Sequence, residues 1–336
     1  MSEVLRMRRT IVALFVCSVL SYAQAPVKKV TGTYHFTTAL TQQGVANVTT
    51  ILQAVAFASE VSFDPASATF TFTGPPDLVN FAEWALPLID RPAGDNAPHE
   101  YTFPSGDVGR VRFLQADATP QQVQEQLTIL RTVADVQKIF AFNPNRAMVM
   151  RGPAWQLAFS DWIMDQLNVG GAGNLASSVR AFRVGGPYPS QTEARTFILG
   201  SMTTQLQVQE LLTTLRIVGE IQKIFSYTAT RALVLRAAGS DLERAEWIVQ
   251  QLDSHSGPPQ KAGTFATPGA DDVTRAIYLP NATPVWVQSA VKGMRSELDI
   301  RKIFAMSSPA NIVVRGTADQ VAAAMAWLTA HNALAE

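Results

Sequence analysis

The sequence predicts an α+β protein of four tandem two-layer βαββα modules, each a three-stranded sheet with two helices on one face. Three observations predict it. The phrase VQKIF at 136–140 returns as IQKIF at 221–225 and as IRKIF at 300–304. Around each phrase the same order of periodicities recurs: alternating, helical, alternating, alternating, helical. Between the copies run Gly-, Pro- and Ser-rich connectors, RPAGDNAPHE, NVGGAGNLASS and SHSGPPQKAGTFATPG. A hydrophobic content of 47% with 16% charged residues describes a folded chain.

The copy at 109–168 is the clearest. RVRFLQA alternates as a strand, and TPQQVQEQLTILRTV follows as a helix. Thr119 is its N-cap, Pro120 fits the first helical position, and Val123, Leu127 and Leu130 share one face. VQKIFAF and RAMVMRG flank the turn NPN as a hairpin, and PAWQLAFSDWIMDQL closes the copy as an amphipathic helix. A shift of 85 residues recovers every element in module 194–253, with Thr204 as cap; a further 79 recovers them in module 273–334, with Thr283. A divergent copy at 32–90 keeps the order as TYHFTTA, TQQGVANVTTILQAV, EVSF, DPAS, ATFTFTG and PDLVNFAEWALPLID. Modules of about 60 residues bury only about 60% of their unfolded surface, so each is marginal alone. The scraps EYTF, AFRV and TFAT in or beside the connectors either add an edge strand to a neighbouring sheet or run as loop; the strand reading is preferred.

Residues 1–23 read as a signal peptide: Arg6, Arg8 and Arg9 precede the apolar run IVALFVCSVL and small residues in SYAQAP. Cleavage after Ala23 is favoured, because cleavage after Ala25 would leave Pro26 first. The run is too short to span a bilayer comfortably. Cys17, the single cysteine, lies in it with Val16 in front, a poor lipobox; Arg8-Arg9 is likewise a weak twin-arginine match. The exported product would hold no thiol or disulfide. Its balance would be 24 basic to 26 acidic, after loss of three Arg and one Glu from 27 of each.

ATRALVLRAAGSDLERAEWIVQQLD at 229–253 resembles the N-domain of secretins, the outer-membrane channels of secretion and type IV pilus systems. PNRAMVMRGPAWQLAFSDWIMDQL at 144–167 and PANIVVRGTADQVAAAMAWL at 309–328 are similar, and the order of elements extends the likeness over most of 32–333. The resemblance implies a KH-like, secretin-N-like module that stacks into periplasmic rings, makes protein–protein contacts and carries no catalytic residue. It implies partners in the cell envelope, either further copies or a separate pore-forming secretin. The pore strands of the family do not follow module 273–334, so a chain without a pore is expected.

Candidate contact residues recur with the repeat. Arg131, Arg216 and Arg295 fall late in the first helix, Lys138, Lys223 and Lys302 in the KIF strand, and Arg151, Arg236 and Arg315 at the end of the hairpin. The first copy has Gln53 and Thr73 at the first and last of these positions. Between residues 30 and 90 it has no basic residue but five acids, Glu60, Asp64, Asp77, Glu83 and Asp90. Solvated rims, each worth under about 1 kcal/mol, are one reading; an acidic module meeting a basic face is the other. Trp84, Trp162 and Trp247 match in the second helix, with Trp327 displaced by one; flanking core is the favoured reading and an inter-module or partner contact the alternative.

Chemistry is not expected. His35, His99, His255 and His331 are scattered without metal-ligand spacing, and Asp161 and Asp165 read as solvated residues of an exposed helix face. No nucleophile elbow or phosphate loop occurs, so no enzyme, cofactor, metal or small-molecule substrate is expected. The one GxxG tetrad, GGAG at 170–173, sits in a connector, and the net charge is zero, which argues against nucleic acid. The sequence thus points to an exported scaffold acting through protein contacts. The alternative is a sensing or peptide-binding protein whose acidic first module is the recognition unit.

Overall fold

The computed structural model describes residues 28–92, 97–168, 179–187, 191–253, 263–267 and 269–331. The signal segment, Cys17, the GGAG tetrad and His255 lie outside the described residues. Module 1 runs β1 (Val30–His35), α1 (Gln42–Thr50, continuing as a π-helical turn Ile51–Val55), β2 (Glu60–Asp64), β3 (Thr69–Gly74) and α2 (Pro76–Ile89). Module 2 runs β4 (His99–Thr102), β5 (Asp107–Phe113), α3 (Pro120–Thr132), β6 (Lys138–Phe142), β7 (Ala147–Pro153) and α4 (Ala154–Asn168). Module 3 repeats this as β8 (Arg180–Arg183), β9 (Glu193–Ile198), α5 (Gln205–Ile217), β10 (Lys223–Tyr227), β11 (Ala232–Ala237) and α6 (Gly239–Leu252). Module 4 does so as β12 (Gly263–Ala266), β13 (Val273–Tyr278), α7 (Pro284–Glu297), β14 (Lys302–Ser307), β15 (Ala310–Gly316) and α8 (Ala318–Ala330).

Local chemistry places these elements. Thr119 and Thr204 accept from the N–H three residues on, while Gln122 and Gln207 bond back to the cap, closing a capping box. After each first helix one residue takes a left-handed conformation and turns the chain into the hairpin: Phe57, Asp135, Glu220 and Asp299, with φ between 49° and 59°. The register is regular and antiparallel throughout, so that Lys138 faces Arg151, Lys223 faces Arg236 and Lys302 faces Arg315.

Modules 2–4 add one strand to the expected three, as the preferred edge-strand reading of the connector scraps has it. Among the described residues their sheets have four, in the orders β4-β5-β7-β6, β10-β11-β9-β8 and β12-β13-β15-β14, and module 1 has three, β1-β3-β2. The aromatic scraps supply β4, β8 and β12, each paired with the first strand of the module it precedes.

The larger difference is that both faces of these sheets are buried. Side chains alternate along a strand, so one face of sheet 2 presents Ile139, Ala141, Met148 and Met150 to its own helices. The opposite face presents Val111, Phe113, Phe142, Ala147 and Val149, which share a core with Leu52, Val55, Phe81 and Leu86 of module 1. Tyr227, Ala232 and Val234 of sheet 3 join Leu127, Leu130 and Phe159 of module 2 in the same way. Ala276, Met306 and Val313 of sheet 4 join Leu211, Leu215 and Ile248 of module 3. The chain is therefore one alternating stack of sheet and helix layers. Sheet 1 begins it, and its outer face reads Thr31, Thr33, His35, Glu60, Ser62, Asp64, Thr69, Thr71 and Thr73 in register, with no apolar side chain.

Candidate functional site

The recurrent basic pairs meet at the joints between modules. At the joint of modules 2 and 3, Lys223 Nζ lies 2.5 Å from Asp135 Oδ1, and the Arg236 guanidinium pairs with Asp135 Oδ2. Asp135 stands at the left-handed turn after α3, so its carboxylate leaves the helix end toward β10 and β11. At the joint of modules 3 and 4, Glu220 takes the same place and is 2.9 Å from both Lys302 and Arg315. Arg315 is also held by Asp272 at 2.7 Å and donates to the Val218 carbonyl at 3.1 Å. At the joint of modules 1 and 2 the acid is replaced by Phe57. Lys138 sits 5.2 Å and Arg151 5.9 Å from its ring centre, a cation–π version of the same contact.

A second clamp recurs beside the first. The Thr228 amide and hydroxyl donate to Glu125 at 2.9 and 2.7 Å, and those of Ser307 donate to Glu210 at 3.0 and 2.6 Å. Asp135, Glu220, Glu125 and Glu210 are not among the residues singled out from the sequence. The signal for two of them is present: an acid immediately precedes each repeated phrase, as DVQKIF, EIQKIF and DIRKIF.

Arg131, Arg216 and Arg295 do something else. They donate to the carbonyls of Ile139, Ile224 and Ile303 in their own modules, at 2.8, 3.3 and 2.6 Å. Each ties the first helix to the edge strand β6, β10 or β14 and occupies a carbonyl there. Trp84, Trp162 and Trp247, half-buried at the margin of the core, reach the fourth strand of the next module. Their rings lie 5.5 Å from Tyr101, 5.3 Å from Phe182 and 6.0 Å from Phe265. They thus flank the core, the favoured reading, and also make the inter-module contact that is its alternative. Trp327 instead stacks on His331 at 3.7 Å and donates to Glu297 at 2.6 Å, within module 4.

Asp161 is also corrected. It is not solvated but lies 3.3 Å from both Arg110 and Arg112 of β5, while Asp165 lies 2.7 Å from Arg112. Burial pushes the Asp161 carboxyl above the usual range despite those arginines. Asp135 and Glu220 show the opposite balance: burial raises each, but hydrogen bonds and charge from the Lys and Arg outweigh it and hold both below the ordinary value. Asp272 is likewise lowered, chiefly by its bond to Arg315. A carboxyl lowered on folding stabilises above its unfolded pKa of about 4, and that stabilisation is lost as pH falls through the folded value. We therefore expect the chain to lose stability progressively below pH of about 4, with Asp161 opposing the trend in part. Urea midpoints between pH 6 and 3 test this, and in Asp135→Asn/Glu220→Gln the acid-side slope should flatten. An unchanged slope would reject the joint carboxylates as its source.

Among the described residues no cluster of His, Cys, Asp and Glu could hold a metal ion, and no helix is long and apolar enough to cross a membrane. His99 packs edge-on to Phe113 and His331 on Trp327.

No family profile and no curated protein matches the chain. Among solved structures, a crystal structure of the N-terminal domain of the Pseudomonas aeruginosa secretin XcpQ, a dimeric mutant, matches at 12% identity and a TM-score of 0.23, covering 65% of this chain and 80% of that one. The chain is similar to secretin N-terminal domains. The E. coli K12 type II secretion system secretin GspD matches at 15% identity and a TM-score of 0.16; the match covers 75% of this chain and spans only 42% of that secretin. An aspartate kinase from Synechocystis reaches 14% identity and a TM-score of 0.17 over 85% of this chain and 51% of that one. Likeness at this level assigns neither activity nor partner.

Proposed function

We propose that the chain is an exported, non-enzymatic scaffold of the cell envelope that works through protein–protein contacts, as the resemblance to secretin ring modules suggests. One observation carries the reading: three times over, the helices of one module share a core with the sheet of the next. Four modules so joined form an extended platform rather than a string of separate beads. The Lys of each KIF strand, the Arg at the end of each hairpin, and Trp84, Trp162 and Trp247 are spent on those joints, while Arg131, Arg216 and Arg295 are spent within their own modules.

The ends do not suit stacking of one copy on another. At the start, Glu60 sits opposite Thr73, where modules 2–4 pair Lys with Arg. Asp299, the terminal counterpart of Asp135 and Glu220, would meet that Glu60 with like charge. At the far end, Gly293, Glu297 and Ala326 stand where module 2 has Ile129, Val133 and Trp162 to bury a following sheet. A different envelope protein is the favoured partner over a second copy.

Cell fractionation with mass measurement tests this. A product processed after Ala23, released with the envelope fraction and recovered in a cross-linked complex with another envelope protein, is expected. Intact chain confined to the cytoplasm overturns the reading. Light scattering should show no concentration-dependent end-to-end growth; open-ended polymers would overturn the choice of partner.

A further inference from the structure

We propose that the free edge of β1 accepts an extended strand from a partner protein, with an arginine of that strand paired to Glu83. The inference rests on the scaffold reading and names where one contact forms. In modules 2–4 the strand equivalent to β1 carries a fourth strand on its outer side, β4, β8 or β12. In module 1, among the described residues, nothing pairs with that side of β1.

The other edges of the stack are guarded. β4, β8 and β12 are four residues long, and β6, β10 and β14 carry Lys and have a carbonyl taken by Arg131, Arg216 or Arg295. β2 begins and ends with a carboxylate, Glu60 and Asp64. β1 has six residues, VTGTYH, with no Lys, Pro or carboxylate among them. Such an edge is a template for strand addition.

Charge then selects the strand. Helix two carries an acid over the first strand at the same place in modules 1–3: Glu83, Asp161 and Glu246. In modules 2 and 3 that acid has an arginine beneath it, Arg110 at 3.3 Å from Asp161 and Arg195 at 2.6 Å from Glu246. The register gives the counterpart in module 1: Arg110 faces Met150, Arg195 faces Leu235 and Gly32 faces Phe72. Glu83 thus keeps the acid without its arginine, and no hydrogen bond or ion pair reaches it among the described residues. Its Oε1 hangs over Gly32, 2.9 Å from where a Cβ would stand. In module 2 the fourth strand places Glu100 directly beside Arg110 and bonds it at 3.0 Å. A residue in that position beside Gly32 would lie next to Glu83, and a cation there completes the pair that module 1 lacks. Lys28 and Lys29, exposed just before β1, disfavour a second cation at that end. The strand that fits carries one arginine among small and β-branched residues. A second copy of β1 does not fit, because it brings another Glu83.

The test uses the full chain and two labelled peptides, Val-Thr-Arg-Thr-Val and Val-Thr-Glu-Thr-Val, read by fluorescence anisotropy. The arginine peptide should bind the wild type at least about tenfold more tightly than the glutamate peptide. Glu83→Lys should reverse that preference, an outcome that misfolding cannot imitate, and the arginine peptide should slow amide exchange at Thr31–Thr33. Equal binding, no binding, or a preference unaltered by Glu83→Lys overturns the assignment. So does a chain lacking residues 1–27 that binds where the full chain does not, which would make the protein's own N-terminus the occupant. Fractionation and cross-linking of the same protein decide the scaffold reading independently of these peptides.

Discussion

Asp135→Asn is expected to lower stability by about 3 kcal/mol, since it takes the carboxylate charge away from a buried guanidinium that keeps only the neutral Gln191 oxygen and its remaining contacts. The Arg236 side chain is fully buried, and Asp135 is the carboxylate that answers both it and Lys223. Asparagine keeps the size of the side chain and tolerates the left-handed backbone at φ 57°, so the loss reports the charge and not the turn. Adding Arg236→Met should restore a large part of the loss, because a well-packed apolar side chain substitutes for a buried pair. Glu220→Gln should cost less. Its carboxylate is half-exposed, and Arg315 retains Asp272. Urea denaturation measures all three; a change below about 0.5 kcal/mol for Asp135→Asn would place the joint with ordinary surface pairs and reject its structural weight.

Phe81→Ala is expected to cost about 3–5 kcal/mol, the range for truncating a fully buried aromatic. Phe81 belongs to α2 yet packs 5.6 Å from Tyr101 and 5.1 Å from Phe103, and its ring lies over Gly109 of β5. The loss should therefore appear in two modules at once, as faster amide exchange in β5 and β7 as well as in β1 and β3. Faster exchange confined to module 1 would show that the joint does not couple them. A Cβ at Gly109 would run into the Phe81 ring, so Gly109→Ala should cost about 1–3 kcal/mol alone. In the Phe81→Ala background that penalty should shrink or change sign, a coupling that a double-mutant cycle reads directly.

Much of this architecture is legible along the chain because it is written in local patterns. Thr119, Thr204 and Thr283 announce helix starts, and the spacing of the KIF phrase announces the repeat. The fourth strands are harder to read, since EYTF or AFRV is too short to show a period. The joints leave a signal of a different kind. In module 1, ATFTFTG alternates as a strand with one buried face, whereas RAMVMRG, RALVLRA and NIVVRG are nearly continuous in apolar residues, as strands buried on both faces are.

The sequence by itself determined the module, its repetition and the change of character in the first copy, because caps, turns and hydrophobic periods act over a few residues. Only the tertiary structure decided what the recurrent side chains do. Lys223 and Arg236 read from sequence as a solvated rim or a partner site, and folding sets them against Asp135, roughly a hundred residues earlier in the case of Arg236. Glu83 reads as one exposed acid among five until the register places Gly32 where its arginine would be. Pairings of that span depend on which faces the layers turn toward each other, and no local period encodes that choice.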